Sequence, residues 1–388
     1  MKVTFAISSL GLGGAERVLV NMAHYWSNKG HSIEIMTLQP KDNVPFYELD
    51  DALIHSPLSL AGESNNVIQF LTNNLRRTRV IRAAIRRSKP DVVISLMDRV
   101  NVLVLLASIG LGIPVIVCEH NDPAHYSIGG RGWELLRGLT YSRADSVVVL
   151  TNKALSYFGP RIRRRALVIP NGISLPAEAI ALSSCQRCNH KIISLGRLAE
   201  QKGFDYLLQA FSQVHPKFPQ WSLTIWGEGP ERATLETLRE RLGLGACVHL
   251  PGTTQSPFKK MRESDLFVSS SRFEGFPMVL LEAMACNLPV IGFDCPSGTR
   301  EIIRHDVDGV LVPPEDVNAL ADAMSRLMGN ALLRNQLAQR AGEVVQRFSM
   351  EKVMGQWEEL LGKVLRFSGQ SISTPTERNN RQDRGACP

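Results

Sequence analysis

The sequence predicts an α/β protein of two doubly wound domains with a helical extension toward its C-terminal end. Three observations carry that expectation. The chain has 388 residues, and single cores rarely grow past roughly 250–300 residues, so two are expected. Short apolar and β-branched runs alternate with helix-patterned segments along nearly the whole length. Near-continuous apolar strands joined by helical crossovers make a parallel sheet covered on both faces. The alternation loosens once, near the middle, and then restarts. A hydrophobic share of 44% is enough to fill both cores.

In order along the chain, Val3, Phe5 and Ile7 alternate in VTFAIS. This reads as a first strand running into a glycine loop rather than as a signal peptide. SIEIMTL, DVVISL, PVIVCEH and SVVVLT supply the other strands of a first domain, residues 1–170. The longest apolar run, VLVLLASIGLGIPVIVC (102–118), falls short of a membrane span. Gly110, Gly112 and Pro114 divide it into a helix, a stop and a buried strand. Residues 171–190 read as a linker. KIISLGRL, SLTIWGEG, CVHLPG, DLFVSSS and PVIGFD then mark a second domain, residues 191–348. Helical pattern runs from about Asp316 to Phe367, and residues 349–367 are expected to pack back on the first domain. The polar stretch 368–388 reads as a disordered tail.

Composition narrows the function classes. The excess of 44 Lys+Arg over 37 Asp+Glu is mild, so the placement of charge matters more than its sum. Seven cysteines without framework spacing point to reduced thiols and a cytoplasmic setting. Cys185 and Cys188, with His190 nearby, lack the second ligand pair that a zinc site requires. They read as incidental cysteines of the linker.

Ligands of open α/β sheets bind at the carboxyl ends of the strands, so the chemistry is sought there, in the cleft where two such sets of ends face each other. After the first strand, SSLGLGGAER brings Gly11, Gly13 and Gly14 to the start of a helix whose first N–H groups suit an anion. The loop lacks the Gly-Lys-Ser/Thr ending of a P-loop, and no acidic residue closes the second strand as a dinucleotide site requires. In SLGRLAEQKGF, Arg197 and Lys202 bracket a strand-to-helix loop and suit a diphosphate; two solvated surface cations are the plain alternative. His120 ends PVIVCEH on the ligand side of the first sheet. In FEGFPMVLLEAMA (273–285), Glu274 lies on the loop entering a helix and Glu282 lies within it. Both sit near the helix's positive end, as two anchoring points for one extended polar ligand. A capping or interdomain salt bridge is the alternative for Glu282.

Together, GGAER, CEHN, IPNGI, SLGRLAEQKGFDYLLQAF, SSSRFEGFPMVLLEAMACNLPVI and GTREIIRHDVDGVLVPPED resemble the retaining glycosyltransferases of family four, which have the GT-B architecture. The matches run in order over about residues 3–330. The resemblance implies a nucleoside diphosphate sugar as donor, UDP-linked by expectation, and no metal or other cofactor. By the same resemblance Gly13 and Gly14 approach the donor phosphates, and Arg197 and Lys202 neutralise the diphosphate and the leaving group. Glu274 holds the transferred sugar with backbone N–H groups around Gly275 and Phe276, Glu282 holds the ribose, and His120 faces the reacting sugar. The base is expected by Leu250–Gly252. The implied product is a hexosylated or N-acetylhexosaminylated glycan, with no part for nucleic acid.

RRTRVIRAAIRRSK (76–89) holds seven cations and no acid. On a helical wheel Val67, Phe70, Ile81 and Ile85 gather opposite a stripe of Arg79, Arg82 and Arg86. The stripe is either a solvated face or a contact for anionic lipid or a lipid-linked pyrophosphate acceptor, which would place the enzyme peripherally on the membrane's cytoplasmic side. RIRRR (161–165) adds a second basic patch. Two further readings stand beside transfer: a nucleotide-sugar epimerase on the same architecture, and a non-catalytic glycan-binding protein.

Overall fold

The computed structural model describes residues 1–60, 62, 67–125, 130–175 and 189–367. Cys185, Cys188 and the stretch from Ser368 lie outside the described residues, as does the side chain of Val67. The chain forms two compact units: Met1–Pro170 with the C-terminal helix from Val353, and Asn171–Lys352.

The first unit runs β1 (Lys2–Ile7), α1 (Gly14–Asn28), β2 (Ser32–Thr37), β3 (Ile54–Pro57), α2 (Val67–Ser88), β4 (Val92–Leu96), α3 (Asp98–Ala107), β5 (Val115–Glu119), α4 (Arg131–Tyr141), β6 (Ser146–Val149), α5 (Asn152–Tyr157), α6 (Pro160–Arg163) and β7 (Ala166–Val168). Its strands form one parallel sheet in the order β3-β2-β1-β4-β5-β6-β7. The central strands β4, β5 and β6 are buried at every position, because helices cover both sheet faces. β3 and β7 are edge strands that the sequence reading leaves out. IHSP carries polar residues and a terminal proline, which an edge tolerates.

The second unit runs β8 (Lys191–Leu195), α7 (Phe204–Val214), β9 (Ser222–Trp226), α8 (Arg232–Arg241), β10 (Val248–His249), α9 (Pro257–Arg262), β11 (Leu266–Ser269), α10 (Met278–Ala285), β12 (Val290–Phe293), α11 (Thr299–Ile302), β13 (Val310–Val312), α12 (Val317–Gly329), α13 (Ala331–Ala341) and α14 (Val344–Arg347). Its parallel sheet has the order β10-β9-β8-β11-β12-β13.

The last helix, α15 (Met350–Phe367), brings Trp357 edge-on to Trp26 of α1 at 6.3 Å. Trp26 in turn stacks on Phe5 of β1 at 5.8 Å. Lys29 and Glu358 close the contact with an ion pair of 2.7 Å. Among the described residues no helix is long and apolar enough to cross a membrane.

Candidate active site

Strand order reverses between β8 and β11 in the second unit and between β1 and β4 in the first. The crevice outside the carboxyl ends of such a strand pair is where open sheets hold ligands. In the second unit the loops leaving β8 and β11 carry Arg197, Lys202 and Glu274. These loops are laced together. Ser270 Oγ donates to the Lys202 carbonyl (3.1 Å), Gln201 Nε2 to the Phe273 carbonyl (3.0 Å) and the Arg272 N–H to the Gln201 carbonyl (2.8 Å). Gly203 makes the approach possible. It has φ +58°, and a Cβ there would lie 2.1 Å from the Ser270 carbonyl oxygen.

This lacing delivers Lys202 to Glu274. The lysine stem crosses Gly196, where a Cβ would lie 3.2 Å from Lys202 Cε. Lys202 Nζ then reaches Glu274 Oε1 at 2.6 Å, and Ser271 Oγ donates to the same oxygen at 2.7 Å. The two side chains of the pair are only 19% and 9% exposed. Arg197, by contrast, is exposed and forms no ion pair among the described residues. The Gly298 N–H donates to the Glu274 carbonyl (3.3 Å), bringing in the loop after β12. A Cβ on Gly298 would lie 2.6 Å from the Gly275 carbonyl oxygen. Phe276 packs its ring edge-on against Phe348 at 5.4 Å. Glu282 is the fifth residue of α10 and is buried. Near Leu250–Gly252, two carbonyls are already engaged: Leu250 accepts from Arg232 (3.1 Å) and Gly252 from the Gly227 N–H (2.8 Å). Burial pushes the Cys295 thiol up to about 11, so it stays protonated at neutral pH.

In the first unit the β1 loop ends at Gly13, the N-cap of α1, and Gly14 is the exposed first residue of that helix. Gly13 has φ −163°, which any residue adopts, and the neighbour a Cβ would meet is the movable end of Glu16 rather than backbone. A Cβ would lie 2.1 Å from Glu16 Oε2, because the Glu16 carboxyl folds back over the helix start. Burial raises the pKa of that carboxyl. Tyr47 holds the loop by donating to the Gly13 carbonyl at 3.0 Å.

His120 is the first residue after β5 and is half-buried. Desolvation pushes its pKa down to about 4, which leaves a neutral imidazole at pH 7. Behind it, Glu119 is buried beneath α3 and α4. The Tyr141 hydroxyl donates to Glu119, and Asn101 Nδ2 donates both to Tyr141 Oη and to the Cys118 carbonyl, each at 2.9 Å. Burial raises the Glu119 carboxyl to about 7, against the lowering effect of the Tyr141 hydrogen bond and the Arg137 charge.

Comparison with known proteins bears on the fold and the enzyme class. The family model described as "Glycosyl transferases group 1" matches residues 188–344, and that described as "Glycosyl transferase 4-like domain" matches residues 13–172. The chain is a glycosyltransferase of family four. It is 26% identical to an α-1,4-N-acetyl-D-galactosaminyltransferase of Campylobacter jejuni, over 94% of this chain and 99% of that one. It is 30% identical to an exopolysaccharide phosphotransferase of Streptomyces coelicolor over 94% of its own length, but spans only 41% of that relative. Among solved structures it resembles Anabaena HepE in complex with UDP and glucose, with a TM-score of 0.75 at 21% identity, over 94% of this chain and 100% of that one. The fold is GT-B, built from two Rossmann-like units.

On the glycosyltransferase, the basic helix differs from the expected stripe. Arg79 and Arg86 are exposed as anticipated, and Ile81 and Ile85 are buried. Arg82 is half-buried and donates to the Ala107 and Ile109 carbonyls at 2.7 and 2.6 Å. It satisfies orphan carbonyls at the end of α3 and is not an outward cation. Arg77 is similarly tied to the carbonyls of Leu60 and Gly62. Phe70 packs edge-on against Trp133 of α4 at 5.5 Å, which joins the two helices. Beside that contact α2 exposes Leu71 and Leu75, and α4 exposes Leu135 and Leu139. Sequence reading missed these leucines. Their helical spacing resembles a buried stripe until the neighbouring helix is known. Glu16 and Glu119 were also missed, although both lie inside quoted motifs.

Proposed function

We propose that this glycosyltransferase is retaining and metal-independent. It moves a hexose or N-acetylhexosamine from a UDP-linked donor to a glycan carried on a lipid diphosphate, in the synthesis of cell-envelope polysaccharide or glycoconjugate. The observation that carries the reading is the meeting of Lys202 and Glu274 at the β8/β11 reversal, with Arg197 exposed on the same loop as Lys202. Arg197, and Lys202 once it leaves Glu274, are two cations suited to a diphosphate, beside a carboxylate able to accept hydrogen bonds from sugar hydroxyls. Arg197 and Lys202 stabilise the leaving nucleoside diphosphate by charge, which is where negative charge develops as the glycosidic bond breaks. No carboxylate is assigned as a nucleophile. The acceptor oxygen therefore attacks C1 on the face the phosphate leaves, and that phosphate takes the acceptor's proton. Neutral His120 offers a hydrogen bond to the reacting sugar. Gly13 and Gly14 approach the donor phosphates, the Gly275 and Phe276 N–H groups assist Glu274, and Glu282 receives the ribose.

The lipid-linked acceptor is supported by the Campylobacter jejuni relative, whose name places its substrate glycan on diphospho-undecaprenol. Exposed Arg79 and Arg86, with the four exposed leucines of α2 and α4, suit an anionic membrane surface on the cytoplasmic side. The test is a panel of nucleotide sugars with an undecaprenyl-diphosphate saccharide, following nucleoside diphosphate release and the anomeric configuration of the product. Transfer with retention, unchanged by EDTA and lost in K202A, is the expected result. Sugar interconversion without acceptor would favour the epimerase, and binding without turnover the glycan-binding protein.

A further inference from the structure

We propose that Glu274 is an internal competitor for the donor's diphosphate. It pairs with Lys202, yields it when an intact donor arrives, and recaptures it to expel the spent nucleotide. The inference rests on the reading of this site as the donor site, and concerns what the ion pair adds to it.

The geometry separates the two cations by availability. Arg197 is exposed and in no ion pair among the described residues, whereas Lys202 is engaged at 2.6 Å with a mostly shielded carboxylate. The stem of Lys202 is confined over Gly196, and its backbone is fixed by Ser270 and by the turn at Gly203. The ammonium therefore has two destinations, Glu274 or a diphosphate at the end of β8. Drawing it away from Glu274 exposes a carboxylate that keeps, among the described residues, only the Ser271 hydroxyl on Oε1. Leaving a shielded charge without its partner is unfavourable.

An intact donor removes that penalty, because its sugar hydroxyls donate to Glu274 as Lys202 moves to the phosphates. A nucleoside diphosphate alone offers no such hydroxyls, so it must compete with Glu274 for the lysine. The ion pair thus weakens product binding more than donor binding, and transfer of the sugar triggers release of what is left. Selectivity between two ligands is a difference of affinities, and here the repulsive element is supplied by the protein's own carboxylate.

The experiment is calorimetric titration of the full chain with UDP, GDP and ADP, comparing the parent, K202A, E274Q and the double variant. The reading of the site requires that K202A weaken the nucleotide that the parent binds. The inference requires that E274Q bind that nucleotide about tenfold tighter, equivalent to about 1.4 kcal/mol, and that this gain vanish in the double variant. If K202A weakens binding while E274Q leaves it unchanged or weaker, the competitor role is wrong and the site assignment survives. If K202A binds every nucleotide as the parent does, the assignment itself fails. E274A provides the same comparison should E274Q lose its cooperative thermal transition.

Discussion

Replacing Glu119 by glutamine should stabilise the protein at pH 8 and leave it nearly unchanged at pH 5. The parent carboxyl is buried, and its pKa rises from the ordinary 4.5 to about 7 in the folded chain. Between those values the folded state holds a proton that the unfolded state has released, so stability falls as pH rises from about 4.5 to about 7. Each pKa unit corresponds to about 1.4 kcal/mol, so the ionised carboxylate costs about 3 kcal/mol above pH 7. Glutamine is nearly isosteric, accepts the Tyr141 hydroxyl's hydrogen bond through its carbonyl, and never ionises. Urea melts of both proteins at pH 5 and pH 8, followed by far-UV circular dichroism, give the comparison. The variant's unfolding free energy should exceed the parent's by about 3 kcal/mol at pH 8 and by less than about 1 kcal/mol at pH 5. An equal difference at both pH values would refute the claim that burial holds this carboxyl's proton.

Four further outcomes follow from the site and the helices around it. G203A should lose at least about 2 kcal/mol and the thermal response to nucleotide, since the residue needs positive φ and a Cβ would meet the Ser270 carbonyl; an unshifted melting curve would contradict this. The C2 proton of His120, assigned against H120A by NMR, should titrate near pH 4, and titration above pH 6 would show the imidazole to be better solvated than the structure has it. R79Q/R86Q should reduce partitioning onto vesicles rich in anionic lipid by roughly ten- to thirtyfold, at about 1 kcal/mol per cation, without moving the melting temperature. R82Q should do the reverse, lowering the melting temperature through the lost cap on α3 while sparing vesicle binding.

Much of the fold was legible because parallel sheets bury strands on both faces. VVISL, VIVCE and SVVV read as strands without knowledge of their neighbours. Three of the four edges were not legible: β3 carries polar residues and a proline, while β7 and β13 are only three residues long. Arg197, Lys202 and Glu274 were each found from loop position, but the pairing of Lys202 with Glu274 spans 72 residues. It depends on β8 lying beside β11, a fact of strand order that no local pattern carries. Arg82 shows the opposite failure. A helical wheel assigns a face, whereas the end of α3 decides what that face meets. Glu119 was passed over because a single carboxylate beside a histidine in a strand gives no local sign of how deeply α3 and α4 cover it.

The first unit is assembled from two separate stretches of chain, with the whole second unit translated in between. On the ribosome, Trp26 therefore emerges more than three hundred residues before Trp357, the residue that caps it. The nascent first sheet must wait with one aromatic face uncovered while the second unit is made. A chain cut at residue 352 would retain every residue proposed to hold the donor and still present that face to solvent. Such a truncation should yield aggregated rather than merely inactive protein, and a detached peptide of residues 350–367 should rescue it.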